Sequence, residues 1–267
     1  MIEIITSLQN KFVKLAASLK QKKYRDELGL FVVEGVRLVE EAVQSDWLIE
    51  TCIYTEETLE QERVQRIIAD LQSKNCRMIQ VASSIYEKVT DTKEPQGIMA
   101  IVKKNVHSLE DRLEAKVKEF FIVLDEVQDP GNVGTMIRTA AAAGCTGVIL
   151  TKGCADVFAS KAVRGSMGSI FHVPIIEGLT RSEVISYLKE HDIEILATSL
   201  ESSKVYFEID FKQSLAIVFG NEGNGVSQEF IEKAQERLYI PLANHVESLN
   251  VAASAAVILY EVVRQRR

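Results

Sequence analysis

The chain has 267 residues, of which 46% are hydrophobic and 26% are charged, and 31 basic against 38 acidic residues give a net charge of −7. This composition excludes a disordered chain, and the length is that of one large domain or two modest ones. The net negative charge argues against nucleic-acid binding by the whole surface, but it does not exclude a local basic patch.

Membrane insertion, secretion and metal chemistry have no support in the sequence. Runs of about 20 apolar residues, the length that crosses a bilayer, do not occur, and residues 1–14 lack the pattern of a secretory signal. The cysteines form no CxxC pair, the histidines form no HxxxH or HExxH pair, and GxSxG is absent. We therefore expect a cytoplasmic protein with reduced thiols and no metal site.

Apolar strand-like runs alternate with amphipathic helical stretches, which predicts an α/β fold with parallel strand pairing. Predicted strands in the first half are 30–34, 48–54, 77–81 and 97–102. Predicted helices there are 7–22, 35–44, 58–73 and 83–89. The charged segment 103–118 follows the last of these strands and contains the predicted linker, 106–118, between a domain at 1–105 and a second domain at 119–267.

The second domain is predicted to contain six strands and five helices. The strands are 120–125, 147–150, 170–173, 193–198, 215–219 and 238–240. Helices are predicted to begin near Gly131, Ser160, Arg181 and Ser227, and a final helix at 249–264 is predicted to be well buried because apolar residues lie on nearly every face.

Basic residues are concentrated near the start of the chain, where six of them precede residue 26 against the single acid Glu3. Helical spacing of Lys11, Lys14 and Lys22 would place a basic stripe on one face, with Tyr24 close by. Such a stripe is typical of phosphate-backbone contact, although a solvated helix face is the more common explanation of the same pattern.

Three turns that follow predicted strands contain glycine or polar residues. The first, LDEVQDPGNVGTMIRTAAAAG at 124–144, combines Gly131 and Gly134 with Arg138, which does not suit a core position. Glycines at a helix N-terminus let backbone amides approach an anion, although turn geometry alone explains most such glycines.

The second turn, LAIVFGNEGNGVS at 215–227, has the order GxxGxG rather than the GxGxxG of a dinucleotide-binding turn, so it disfavours a nicotinamide enzyme. Glu222 is there either as a helix-start carboxylate or as a functional group, and Ser227 is predicted to cap the next helix. In the third, LYIPLANHVESLNVAASAAVILYE at 238–261, Ser248 is predicted to be the helix cap, and Asn250 is an amide that needs partners. Together the turns predict one composite ligand site at the carboxyl ends of the strands.

The three turns resemble the motifs of the SpoU (TrmH-like) family of RNA ribose 2′-O-methyltransferases. The first matches NxGxxxR through Asn132, Gly134 and Arg138; the second matches GxEGxG through Gly220, Glu222, Gly223 and Gly225; the third matches IPhxxxxxSLNV through Ile240, Pro241 and residues 248–251. Residues 156–174 resemble the family's connecting segment. The first hundred residues, notably FVVEGVRLVEEAV at 31–43, resemble its L30-like α/β substrate-binding domain.

The resemblance implies S-adenosylmethionine as methyl donor, a deep trefoil knot in the C-terminal domain, and a homodimer formed through that domain. The implied catalytic residues are Asn132, Arg138, Glu222, Ser248 and Asn250. The implied cofactor-binding residues are Thr198, Gly220, Asn221, Ile240 and Leu249. The implied RNA-binding residues are Lys11, Lys14, Lys22, Lys23, Arg25 and Arg37.

Ribosomal RNA is the favoured substrate, because the extra N-terminal domain points to it by analogy. Transfer RNA and a methylation that confers antibiotic resistance are the alternatives within the family. A non-catalytic RNA-binding protein is a second class of alternative, against which the complete motifs count. A phosphate-binding nucleotide enzyme is disfavoured because GxxxxGK[ST] is absent.

Overall fold

The computed structural model describes residues 4–109, 118–200 and 204–267. The strands are β1 (Leu30–Glu34), β2 (Ile49–Tyr54), β3 (Arg77–Gln80), β4 (Ile98–Lys103), β5 (Phe120–Leu124), β6 (Gly147–Thr151), β7 (Ile175–Leu179), β8 (Glu194–Thr198), β9 (Lys204–Val205), β10 (Leu215–Phe219) and β11 (Glu236–Tyr239). The α-helices are α1 (Lys11–Ser18), α2 (Lys22–Leu28), α3 (Val36–Gln44), α4 (Glu62–Ser73), α5 (Ser83–Val89), α6 (Pro130–Ala143), α7 (Ser160–Ser166), α8 (Arg181–Glu190), α9 (Gln228–Lys233) and α10 (Val251–Arg266). Short 3-10 helices occupy Glu57–Glu60, Ser169–Phe171 and Tyr206–Glu208.

Contacts divide the chain into two compact units, 1–105 with 156–171, and 106–155 with 172–267. Most of the predicted linker, 110–117, lies outside the described residues. Over the described part of the chain, the helices are too short or too polar to cross a bilayer.

The first unit is built on a four-stranded sheet in the order β1-β4-β2-β3. Strand β4 is antiparallel to both β1 and β2, and only β2 and β3 are parallel. The prediction of parallel pairing is therefore wrong for two of the three strand pairs in this sheet, since apolar runs show which strands are buried but not the direction in which they run. Apolar residues of α1 and α5 pack on one side of this sheet against Ile53, Met99 and Ile101.

The helix predicted over residues 7–22 is wrong in its bounds, because α1 covers only Lys11–Ser18 and a separate helix, α2, begins at Lys22. Asn10 begins α1, because its side-chain oxygen accepts a hydrogen bond from the Phe12 amide at 2.9 Å. The guanidinium of Arg25 lies at the other end of α1, where it donates to the carbonyls of Leu19 and Lys20 at 2.7 and 2.8 Å. The break prevents Lys22 from sharing a helix face with Lys11 and Lys14.

Residues 156–171 bury polar and aromatic groups of the first unit. Arg25 donates from Nε and Nη2 to one carboxylate oxygen of Asp156, at 3.0 and 2.5 Å. The Phe31 ring lies 4.9 Å from that of Phe158 and 6.4 Å from that of Phe171, measured between ring centroids. This segment thus supplies part of the core around β1.

The second unit contains a seven-stranded sheet in the order β7-β6-β5-β10-β8-β11-β9, and every adjacent pair is parallel. This confirms the predicted parallel sheet. The strand predicted at 170–173 is wrong, because Ser169–Phe171 forms a 3-10 helix and the strand begins after Pro174, at Ile175. The prediction that α10 is well buried fails on one face, where Val257 and Tyr260 are exposed.

Candidate active site

The predicted composite site lies at one edge of the parallel sheet. Strands β5, β10, β8 and β11 are neighbours in that order, and because they are parallel, their carboxyl ends open on the same edge. The three motif-bearing turns follow β5, β10 and β11. The sheet order, which the sequence did not provide, brings together turns whose hydrogen-bonded residues are up to 118 positions apart in the chain.

Asn221 holds the turn after β10 in shape. Its side-chain oxygen accepts from the amides of Gly223 and Asn224 at 2.9 and 3.0 Å, and its side-chain nitrogen donates to the Glu126 carbonyl at 2.9 Å. Gly220 allows the turn to close, because a Cβ there would lie 2.0 Å from the carbonyl carbon of Gly225. The glycine is therefore required by a close approach of two backbone segments.

Glu222 links this turn to the turn after β5. Its carboxylate accepts from the amides of Gln128 and Asp129, each at 3.0 Å, and from the side-chain nitrogen of Asn132 at 2.9 Å. Burial is the largest influence on the pKa of Glu222 and raises it, but these hydrogen bonds together lower the pKa below its usual value. The carboxylate is thus held ionised in a fixed position.

Asn250 extends this network to the third turn. Its side-chain nitrogen donates to the side-chain oxygen of Asn132 at 2.9 Å, and its own side-chain oxygen accepts from the amides of Ala252 and Ala253. Asn250 is therefore the N-cap of α10, and the prediction that Ser248 caps this helix is wrong. Ser227 precedes α9 as predicted, but its hydroxyl makes no capping hydrogen bond.

A cavity of about 830 Å³ opens beside this network. It is lined by eight of the predicted site residues: Thr198, Gly220, Asn221, Glu222, Ile240, Ser248, Leu249 and Asn250. It is also lined by residues that the sequence reasoning missed, among them Leu200, Arg237, Leu242 and Ile258. Several of these lie in or just after β8 and β11. They could have been predicted from the rule that ligands bind at the carboxyl ends of parallel strands.

Arg138 and Asn132 are not among the residues that line the cavity. Arg138 is exposed on α6 and forms no hydrogen bond or ion pair within the described parts of the chain. The structure therefore connects Asn132, Glu222 and Asn250 through direct hydrogen bonds, and leaves Arg138 with a free guanidinium on the surface of the second unit.

An ion pair between Asp125 and Arg181, which the sequence analysis did not predict, lies at the start of the first turn. Asp125 is 1% exposed, and its carboxylate accepts from Arg181 Nε at 2.7 Å and from the Ser227 amide at 2.8 Å. Arg181 also pairs with Glu126 at 2.7 Å, and this pairing with two carboxylates raises the pKa of the arginine. The start of the first turn is thereby fixed to Ser227, at the end of the second turn.

The predicted RNA-binding residues lie in the first unit, and five of the six are exposed: Lys11, Lys14, Lys22, Lys23 and Arg37. Arg25 is only 5% exposed, and Asp156 and two backbone carbonyls occupy its guanidinium. The structure therefore does not support the prediction that Arg25 contacts RNA. The density of basic residues in a stretch of sequence does not show which of them are exposed and which are buried and paired.

Comparison with known proteins places this site in a family. Residues 119–260 match the model of the SpoU rRNA methylase family, and residues 10–100 match an MRM3-like substrate-binding domain. The chain belongs to the SpoU rRNA methylase family. Residues of its second and third motifs line the cavity, and Asn132 of the first motif is hydrogen-bonded to Glu222 and Asn250.

Relatives of known name align over nearly the whole chain. A Bacillus subtilis 23S rRNA (guanosine(2553)-2′-O)-methyltransferase, RlmP, is 38% identical over 97% of this chain and 98% of its own. The structure of an AdoMet-bound rRNA methyltransferase from Sinorhizobium meliloti has a TM-score of 0.89 and 33% identity, over 98% of each chain. AviRb from Streptomyces viridochromogenes, solved with the cofactor AdoMet, has a TM-score of 0.86 and 28% identity over 97% of this chain and 98% of its own.

Proposed function

We propose that the protein transfers a methyl group from S-adenosylmethionine to a ribose 2′-oxygen of ribosomal RNA. The observation that carries the proposal is the hydrogen-bonded chain Asn250–Asn132–Glu222, which joins all three family motifs beside a cavity lined by residues of the second and third. Relatives that align over nearly their whole length are named as enzymes of this activity.

The residues present fit the proposed cofactor. The cavity of about 830 Å³ falls within the range of about 300–1,000 Å³ that small-molecule sites occupy. Its lining combines apolar side chains, such as Leu238, Leu242 and Ile258, with the polar groups of Thr198 and Asn221. When bound, S-adenosylmethionine would supply an electrophilic methyl group on a sulfonium sulfur.

The network around Glu222 is proposed to hold three turns in one arrangement, rather than to take a proton. Its carboxylate already accepts three hydrogen bonds, and they keep its pKa low. A carboxylate with a lowered pKa is a weak base near neutral pH, so positioning is the role that suits it. Ser248 and Asn250 would fix the third turn against the same ligand.

Arg138 is proposed to bind an RNA phosphate and to stabilise the negative charge that develops on the ribose 2′-oxygen. Its planar guanidinium suits bidentate binding of phosphate oxygens, and it is a poor base because it offers hydrogen-bond donors and no acceptor. An RNA phosphate would accept the proton that the 2′-hydroxyl loses. The exposure of Arg138 and its lack of a partner within the described residues agree with a role toward an external ligand.

The nucleotide proposed first is a guanosine equivalent to position 2553 of 23S ribosomal RNA. The RlmP relative that carries this name is 38% identical over 98% of its length, whereas the Streptomyces viridochromogenes enzyme named for uridine 2479 is 30% identical. Transfer RNA as substrate and a non-catalytic role are not favoured, because these relatives are named for ribosomal RNA methylation.

The assembly is proposed to be a cytoplasmic homodimer formed through the second unit. The apolar residues Val257 and Tyr260 are exposed on α10, and they support a surface for a second copy of the chain. Helix α10 also packs on α6, the helix that carries Arg138. The trefoil knot implied by the family resemblance stays a prediction, as does the division of the chain at 105 and 119.

The deciding experiment is transfer of label from S-adenosylmethionine to total RNA of cells that lack the protein. The RNA is then separated by size, digested to nucleosides and mapped. A labelled 2′-O-methylguanosine in 23S ribosomal RNA is the expected result. Label in transfer RNA would overturn the substrate, and cofactor binding without any label on naked RNA or on assembled ribosomal particles would overturn the activity.

A further inference from the structure

A half-buried aromatic ring in the first unit lies beneath two cations. Phe12, near the start of α1, has Lys11 Nζ at 5.0 Å and the guanidinium carbon of Arg77 at 4.8 Å from its ring centroid. Arg77 is the first residue of β3, one of the two edge strands of the four-stranded sheet. The fold therefore joins α1 to a cation 65 residues further along the chain.

The cations on α1 and at the start of β3 form no ion pair with a carboxylate of the described residues. Lys11, Lys14 and Arg77 are exposed, and within residues 4–109, 118–200 and 204–267 none of them pairs with a carboxylate. Other cations of the same unit are paired, as in Lys20–Asp91, Lys22–Asp26 and Arg63–Glu40. Lys11 and Arg77 lie at the same ring and repel each other, and a bound polyanion would relieve that repulsion.

We propose that α1 and the edge strand β3 form a contact surface for a single-stranded stretch of the RNA substrate. Lys11, Lys14 and Arg77 bind phosphates, and a base stacks on the plane offered by Phe12 and the Arg77 guanidinium. Cations beside an aromatic ring are the combination with which proteins hold single-stranded RNA. The assignment rests on the proposed function, since it takes RNA as the substrate, and it adds Phe12 and Arg77 to the residues that touch it.

Charge reversal at Arg77 tests the phosphate contact. The full-length Arg77→Glu variant is compared with Arg66→Glu, which reverses the same charge at an exposed position on α4. Affinity for a 23S ribosomal RNA fragment is measured at several salt concentrations, together with KM, kcat and S-adenosylmethionine affinity. We expect Arg77→Glu to weaken RNA binding and raise KM by about tenfold or more, and to reduce the slope of log K against log salt by about 0.7 for the lost single-strand contact.

The Phe12→Leu variant tests the stacking contact separately. Leucine keeps an apolar side chain on α1 but removes the ring, so RNA affinity should fall by about fivefold or more while the salt slope stays unchanged. Neither variant should alter S-adenosylmethionine affinity, because the cofactor cavity is lined by residues of the second unit.

The outcomes separate this surface from the proposed activity. If the wild-type protein methylates ribosomal RNA but Arg77→Glu behaves as Arg66→Glu does, the phosphate-binding surface is wrong. An unchanged affinity in Phe12→Leu removes the stacking part of the proposal. If the wild-type protein neither binds nor methylates ribosomal RNA, the proposed function itself is wrong.

Discussion

Glu222, Asn132 and Asn250 are held in place by hydrogen bonds, whereas the Arg138 side chain forms none within the described residues. Asn132 forms hydrogen bonds with both Glu222 and Asn250, so replacing any one of the three residues removes a hydrogen bond from another. Arg138 has no partner in the described chain and is the residue whose replacement should disturb catalysis without disturbing the fold. Substitutions at these two kinds of residue should therefore give different signatures.

Arg138→Lys should remove most of the activity and leave stability unchanged. Lysine keeps the positive charge but loses the planar fork that binds two phosphate oxygens at once. We expect kcat to fall by about 10² or more, a size typical of losing one preorganised donor in the transition state. Single-turnover methylation measures the effect, with the melting temperature as control, and near-normal turnover in the lysine variant would contradict the proposed role.

The pH dependence of stability should reveal the ionised state of Glu222. Hydrogen bonds lower its pKa in the folded protein, so its contribution is fully present above the unfolded-state pKa of about 4.3 and is lost as pH falls through the folded-state value. The difference in free energy of unfolding between wild type and Glu222→Gln should be constant from about pH 8 to 5, and should shrink only at lower pH. Urea unfolding at several pH values measures it. A difference that instead grows as pH falls from about 7 to 5 would mean that the carboxylate has a raised pKa, because protonation would then stabilise the folded state.

At the scale of elements, the strand–turn junctions were easier to predict than the helix caps. Strands β1 and β10 have the predicted bounds, because uniformly apolar runs flanked by polar turns have few other conformations. Asn250 and Ser248 are both good capping residues two positions apart, and the hydrogen bond from Asn250 to Asn132, 118 residues away, distinguishes them only in the folded chain. The break between α1 and α2 likewise coincides with a long-range contact, the Arg25–Asp156 pair.

The turn after β10 should tolerate alanine at one glycine and not at another. A Cβ on Gly220 would lie 2.0 Å from backbone of the same turn, whereas a Cβ on Gly223 would have its nearest neighbour, the Asn221 side-chain oxygen, at 3.6 Å. Gly220→Ala should abolish cofactor binding and lower the melting temperature, while Gly223→Ala should change the free energy of unfolding by no more than about 0.5 kcal/mol. Calorimetric binding and thermal unfolding of both variants measure this. Equal behaviour of the two would show that the turn opens more readily than its backbone contact indicates.

At the scale of the whole molecule, the sequence indicated two α/β parts and the residues of one ligand site, but not how the strands assemble. The order β5-β10-β8-β11 makes a single site from turns that are distant in the chain, and no local pattern encodes that order. The mixed directions in the first sheet were missed for the same reason. The placement of 156–171 with residues 1–105 depends on Asp156, Phe158 and Phe171, which read as ordinary members of the methylase segment.

The buried pair between Arg25 and Asp156 should be among the costliest polar contacts to break. Their side chains are 6% and 8% exposed, so removing one charge leaves the other buried without a counter-charge. Asp156→Asn keeps the oxygen that accepts from the Phe158 amide and should still cost about 3–5 kcal/mol of unfolding free energy. Glu62→Ala, which breaks the exposed Arg66–Glu62 pair, should cost no more than about 1 kcal/mol.

Urea unfolding of Asp156→Asn, Arg25→Met and the double variant should give a coupling of about 1–3 kcal/mol, because the two residues share a contact. Strict additivity would mean that residues 156–171 are held to β1 by their aromatic contacts alone.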